Sequence, residues 1–226
     1  MRILALDTST EYLSLALMLD GKVLSEDMHA GQTHSQLILP LIGEMLSNAG
    51  LQLRELDGIA FGAGPGSFTG LRIGCGVAQG LAFGASLPVA GISTLLALAH
   101  SSEADKVIAC LDARMGEVYH AAYAKSGAGW QEASPPGLYK PEEVPLLTGE
   151  GWTGAGSGWS AYGNILNKVY TGLMSNTLPV AYPRATSIAA LAEPIFEAGL
   201  GVPAAQAAPI YIRNKVALTM NERENR

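Results

Sequence analysis

The 226-residue chain is 48% hydrophobic and 15% charged, with a net charge of −6. It can bury one large or two modest cores, but it lacks the clustered Lys and Arg with which a protein grips nucleic acid unaided. No apolar run reaches a membrane span, and the stretch after Met1-Arg2 is too short for a signal sequence. The isolated Cys75 and Cys110 read as reduced thiols of a cytoplasmic protein rather than a disulfide framework.

Ile3 to Leu6 reads as a buried strand ending at Asp7, followed by strands over Leu13 to Leu19 and Lys22 to Asp27 joined by an Asp20-Gly21 hairpin turn. A helix follows, with a capping box expected at Thr33-His-Ser-Gln36, apolar residues Leu37, Leu41 and Met45 beside Ile38, Ile42 and Leu46, and Gly50 at its end. Leu56 to Phe61 gives a strand, Gly62 to Arg72 a glycine-rich loop, and Thr69 to Gly84 a helix. That helix holds Gly70, Gly74, Gly76, Gly80 and Gly84, each costing about 1 kcal/mol of helix propensity relative to Ala. Close approach of another helix along Gly76, Gly80 and Gly84 is the expected compensation. Val89 to Ile92 and a helix from Thr94 to His100 complete a βββαβαβα unit.

Lys106 to Asp112 and Glu117 to Ala124 repeat the opening strand, terminal Asp, turn and strand, so residues 2 to 18 and 107 to 124 look like one module used twice. The remainder is less regular: Gly127 to Gly151 is rich in Pro, Gly and Glu, Gly154 to Gly158 makes a second glycine turn, and Ser187 to Ala198 reads as a helix. The expected organisation is an α/β protein of two lobes, 1–102 and a smaller 103–226 whose last segment could pack back on the first lobe, with a cleft between them.

The glycine loop fits neither common phosphate motif. Walker A needs a Lys, and none occurs between Lys22 and Lys106; the dinucleotide spacing fails because Ser67 and Thr69 stand where Gly is required. A tight turn and an anion loop both remain open. His29, His34, His100 and His120 show no His-x-x-x-His spacing, so no metal site is expected. Ser160 lacks the second glycine of a nucleophile elbow. Asp7 and Asp112, each ending the first strand of a module, are the best carboxylates for Mg²⁺ binding or base catalysis, although an Asp at a strand end is also ordinary turn chemistry.

Asp7-Thr-Ser-Thr, Thr33-His-Ser and Gly62-Ala-Gly-Pro-Gly-Ser-Phe-Thr-Gly-Leu-Arg72, with Pro209-Ile-Tyr-Ile-Arg213 in support, resemble the TsaB (YeaZ) family over nearly the whole chain. The resemblance implies a duplicated actin and sugar-kinase (ribonuclease H-like) fold and a part in making threonylcarbamoyladenosine on tRNA, as a non-catalytic relative of TsaD. TsaD carries a metal on a His-x-x-x-His pattern, and the matching positions here are Thr94 and Leu98, so neither a metal nor a metalloprotease site is implied. It further implies TsaD as partner, TsaE docking on the assembled pair, and ATP and metal chemistry residing in the partners; because an isologous patch pairs with itself, the surface that meets TsaD predicts a homodimer when TsaD is absent.

On this reading the two helices at 34–49 and 69–84 form a partner or dimer surface, with Leu37, Leu41, Met45, Phe68, Leu71, Gly74, Cys75, Ala78 and Leu81 at the contact. A bulky residue at Gly74 is then expected to abolish both associations. The alternative is a nucleotide-binding enzyme of the kinase type, with Asp7, Thr8 and Ser9 near a phosphate and Gly154 and Gly156 near the adenosine. The acidic balance makes contact with tRNA indirect, although Arg213, Lys215, Arg223 and Arg226 form a small basic run near the end.

Overall fold

The computed structural model describes residues 1–127 and 129–213; Lys215, Arg223 and Arg226 of the basic run lie outside them. Strands β1 (Arg2–Asp7), β2 (Tyr12–Leu19) and β3 (Lys22–His29) form an antiparallel meander. Its second turn places Asp20 at φ 49° and Gly21 at φ 86°, a left-handed pair these two residue types accept at low cost. Helix α1 (His34–Asn48), strand β4 (Gly58–Gly64), helix α2 (Phe68–Ala85), strand β5 (Pro88–Ser93) and helix α3 (Thr94–Ser101) complete the first half. The second half runs β6 (Lys106–Arg114), β7 (Glu117–Ser126), β8 (Gly129–Tyr139), β9 (Trp152–Ala155), α4 (Ser157–Val169), β10 (Met174–Leu178), α5 (Ala185–Glu197) and β11 (Val202–Pro203).

The strands make two mixed sheets, ordered β11-β5-β4-β1-β2-β3 and β10-β9-β6-β7-β8. In each, an antiparallel hairpin is extended by parallel strands, β4 beside β1 and β9 beside β6, so the repeated module is real at the level of pairing. On β1, Leu4 and Leu6 face α1 and α2 while Ile3 and Ala5 face α5. On β6, Val107, Ala109 and Leu111 face α3 while Ile108 and Cys110 face Trp159, Leu166 and Tyr170 of the α4 region. Both central strands are therefore covered on both faces, which is why they read as unbroken apolar runs rather than alternating ones. The halves also exchange helices: α3 packs on the second sheet, and α5 on the first.

Three expectations change. The capping box at Thr33 does not form, because the Thr33 hydroxyl donates to the Ala30 carbonyl at 2.7 Å instead. The Pro- and Gly-rich stretch after Gly127 contains β8, an edge strand, where Pro135 and Pro136 are tolerated because edge positions need not donate to a ladder. The turn at Gly154 to Gly158 opens a 13-residue helix, α4. Among the described residues, no helix is long and apolar enough to cross a membrane.

Candidate functional site

The two motifs that stood out in the sequence are each other's packing partner. A Cβ built on Gly62 would lie 1.9 Å from Asp7 Oδ2, one on Gly66 2.6 Å from the Ser9 carbonyl oxygen, one on Gly70 1.9 Å from the Thr8 carbonyl oxygen, and one on Gly74 2.5 Å from Thr8 Oγ1. Four glycines thus form a cradle around Asp7-Thr8-Ser9. Ser67 donates its amide to the Ser9 carbonyl at 2.8 Å, and Thr8 Oγ1 donates to the Gly70 carbonyl at 2.7 Å, locking the end of β1 onto the first turn of α2. The glycine-rich loop admits the chain's own backbone, as a tight turn would.

Asp7 is held inside this cradle. One carboxylate oxygen accepts from the Ser9 amide at 3.0 Å and the Ser9 hydroxyl at 2.8 Å; the other has no hydrogen-bond partner. Burial, only partly offset by those Ser9 bonds, pushes the Asp7 carboxyl from 3.8 up to about 6. The fold therefore favours the neutral form: the burial is tolerated below pH 4 and costs progressively more as pH rises through 6, reaching about 3 kcal/mol. Asp7→Asn is expected to raise Tm at pH 7.5 and lose that advantage towards pH 4. Circular dichroism melts across this range check it; an advantage independent of pH would contradict the assignment.

Asp112 differs. It lines the cleft between the sheets, and its carboxylate is engaged by its own turn, accepting from the Arg114 amide at 2.8 Å and the Arg114 guanidinium at 3.1 Å. The cleft, ≈ 960 Å³, is also lined by Ser9, Pro65 to Leu71, Ser157, Ser160 and Ile210 to Arg213. Asp7, Thr8, Gly154 and Gly156 are not among its lining residues. A Cβ on Gly154 would overlap the Trp159 ring at 2.3 Å, and one on Gly156, at φ 105°, would meet the Cys110 carbonyl at 2.5 Å. The second glycine turn is thus also packing, and of the five residues considered for nucleotide only Ser9 borders the cleft.

No metal arrangement emerges among the described residues, where no three of His, Cys, Asp and Glu come close enough to hold an ion. Thr94 and Leu98 are fully buried, Thr94 donating its hydroxyl to the Pro65 carbonyl. Three of the four histidines are engaged by the fold: His34 with the Tyr12 carbonyl, His100 with Ser187, and His120 with the Tyr170 hydroxyl at 2.8 Å. Burial pushes His120 down to about 4.

The α1–α2 surface divides into two faces. Met45, Leu71, Gly74, Cys75 and Ala78 are buried in the chain's own first lobe, so these five expected contact residues face inward; Gly74 backs onto Leu6 and Thr8. Leu37, Leu41 and Leu81 are half-buried against the same core, and Phe68 is half-buried beside Tyr211. Outward, Gly76, Gly80 and Gly84 have nothing within 4 Å of an added Cβ. Gly76 and Gly80 border an apolar groove of ≈ 440 Å³ between the helices, lined by Leu81 and by residues the sequence reading did not select, Leu39, Ile73 and Val77 among them, with Arg72 as its one charged residue. Phe83 lies beside it on α2, 78% exposed.

The comparisons with known proteins agree with the fold. A family model described as TsaD, tRNA N6-adenosine threonylcarbamoyltransferase, matches residues 25–218. The tRNA threonylcarbamoyladenosine biosynthesis protein TsaB of Escherichia coli K12 is 41% identical, covering 96% of both chains. The chain belongs to the TsaB family. The TsaB protein of Haemophilus influenzae is 40% identical over 95% of this chain and 94% of its own. The solved YeaZ structure from Pseudomonas aeruginosa is 38% identical, with a TM-score of 0.83 over 93% of this chain and 99% of that one. TsaB membership and the paired mixed sheets fit the actin-like, ribonuclease H-like fold.

Proposed function

We propose that this chain acts in tRNA threonylcarbamoyladenosine biosynthesis as a non-catalytic subunit that docks and supports a TsaD-type transferase through the groove between α1 and α2. The observation that carries the reading is the outward glycine row. Three helix-interior glycines, Gly76, Gly80 and Gly84, each cost about 1 kcal/mol of helix propensity and meet nothing within 4 Å in the chain itself. A partner helix approaching along them would recover that cost through close backbone packing, with Leu39, Ile73, Val77 and Leu81 as its apolar walls. Phe68 and Phe83 flank this surface, while Leu37 and Leu41 support it from below.

The candidate catalytic groups support a non-catalytic role: Asp7 is hidden in the glycine cradle, Asp112 is committed to its turn, and Thr94 and Leu98 offer no metal ligand. ATP and metal chemistry is assigned to the partners, with a TsaE-type ATPase joining the assembled pair. The same groove would pair with itself in the absence of the transferase, giving a two-fold homodimer. With a net charge of −6, the chain reaches tRNA only through its partners, in the cytoplasm. We assign residues 1–102 and 103–226 to the two lobes, with the stretch from α5 to Tyr211 returning to the first.

The test is reconstitution from purified transferase, ATPase and this chain, with tRNA, ATP and threonylcarbamoyl-adenylate supplied as the activated donor. Modified adenosine is expected only when this chain is present. A transferase working at full rate without it would overturn the reading, and ATP hydrolysis by the chain alone that is lost in Asp7→Ala would replace it with an enzymatic one.

A further inference from the structure

After β11 the chain runs back along the first lobe and then crosses the cleft. Gln79 Nε2 donates to the Ala204 carbonyl at 3.1 Å, and the Ile210 amide donates to the Ala63 carbonyl at 2.7 Å. Gly64, at φ 118°, makes the passage possible, because a Cβ there would sit 2.6 Å from the Ile210 carbonyl oxygen. Next, the Tyr211 hydroxyl accepts from Arg72 Nε at 3.0 Å, with its ring 5.6 Å from Phe68. Up to this point every anchor is on the first lobe.

The following two residues belong to the other side. Ile212 packs on the core formed by α3 and the second sheet. Arg213, only 13% exposed, pairs with Glu117 of β7 at 2.5 Å and reaches Met115 and the Arg114 carbonyl on the β6–β7 turn. Within four residues the backbone passes from a sheet-like bond on one lobe to a half-buried ion pair on the other, and all four line the cleft.

We propose that Ile210–Arg213 is a strap that clamps the two lobes across the cleft, and that Arg72 keys this strap to the outer groove. A charge-assisted, partly desolvated pair holds one end and a strand-type bond the other, so releasing either end removes this tie and lets the cleft open about the α3 and α5 contacts that still join the lobes. Arg72 serves both surfaces: its guanidinium holds Tyr211 and stacks 3.8 Å over the Phe68 ring, and it also lines the groove. An occupant of the groove that desolvates Arg72 strengthens its hold on Tyr211. By linkage, docking then tightens the strap as much as the strap favours docking. This second limb rests on the docking reading; the clamp does not.

Hydrogen–deuterium exchange on the full chain separates the two limbs. In Arg213→Ala, Glu117→Ala and Arg72→Ala, amides of residues 207–212 are expected to exchange at least tenfold faster, with an increased radius of gyration by small-angle scattering. The charge-exchanged double variant Glu117→Arg/Arg213→Glu should return both towards wild type, which a merely damaged fold would not do. Wild-type exchange in the single variants, or fast exchange with an unchanged radius, overturns the clamp. With the transferase subunit added, exchange at 207–212 should slow further. Protection of α1 and α2 without that slowing overturns the coupling; α1 and α2 left unprotected overturn docking and coupling together, while the clamp stands on the variants.

Discussion

Gly70→Ala is expected to destabilise the protein by about 3 kcal/mol, at the upper end of what overpacking costs, although Ala is the better helix former. The added methyl would lie 1.9 Å from the Thr8 carbonyl oxygen, a backbone atom that cannot swing aside like the end of a flexible side chain. Nor can the strand retreat easily. The Thr8 hydroxyl bond to Gly70 and the Ser67 amide bond to Ser9 hold β1 and α2 at that separation, and the neighbouring strands β2 and β4 fix β1 in the sheet. For a chain of this length the loss corresponds to a fall in Tm of about 6–12 °C. Gly80→Ala on the same helix is the control: its methyl enters open space, so the helix-propensity gain of about 1 kcal/mol should appear undiminished as stabilisation. Urea denaturation of both variants checks this, and equal effects of the two substitutions would mean that the cradle is not as tight as the geometry requires.

This contrast also shows what could be read from the sequence. The hairpin at Asp20-Gly21, the apolar central strands and the duplicated module were legible because turn chemistry and hydrophobic runs are local signals. The purpose of the glycines was not, since it depends on what approaches them, and Asp7 to Ser9 lie some sixty residues earlier in the chain. A helical projection of α2 would have separated Leu71, Gly74, Cys75, Ala78 and Ala82, all buried, from Gly76, Gly80 and Gly84 on the opposite side. Selecting apolar and small residues regardless of face instead placed five core residues on the proposed contact. Strand β8 and helix α4 were missed because Pro and Gly outweigh local pattern there, whereas edge position and the packing of Trp159 over Gly154 accommodate them. The strap was invisible for a related reason: Arg213 reads as part of a basic tail until Glu117, 96 residues away in sequence, is seen beside it.

Gly80→Arg should leave the fold intact and abolish docking of the transferase subunit. Arg is a good helix former, and its Cβ at this position meets nothing within 4 Å while the groove leaves the rest of the side chain room towards solvent, so Tm should match or exceed wild type. In the groove the same side chain occupies the line along which a partner helix must approach, and docking would have to desolvate a second cation beside Arg72, so the complex suffers both a steric and a desolvation penalty. A fall in affinity of at least about 100-fold, or about 2.7 kcal/mol, is expected by calorimetry, with loss of co-elution in size-exclusion chromatography and of modified tRNA in the reconstituted reaction. Gly74→Leu is the informative counterpart, because its side chain points at Thr8 and Leu6: it should lose folding and association together. If Gly80→Arg melts like wild type yet binds the transferase unchanged, the groove is not the docking surface, and the cost of the three exposed glycines needs another explanation. If only Gly74→Leu loses binding, the loss reports a damaged core, so the outward substitution is the one that decides.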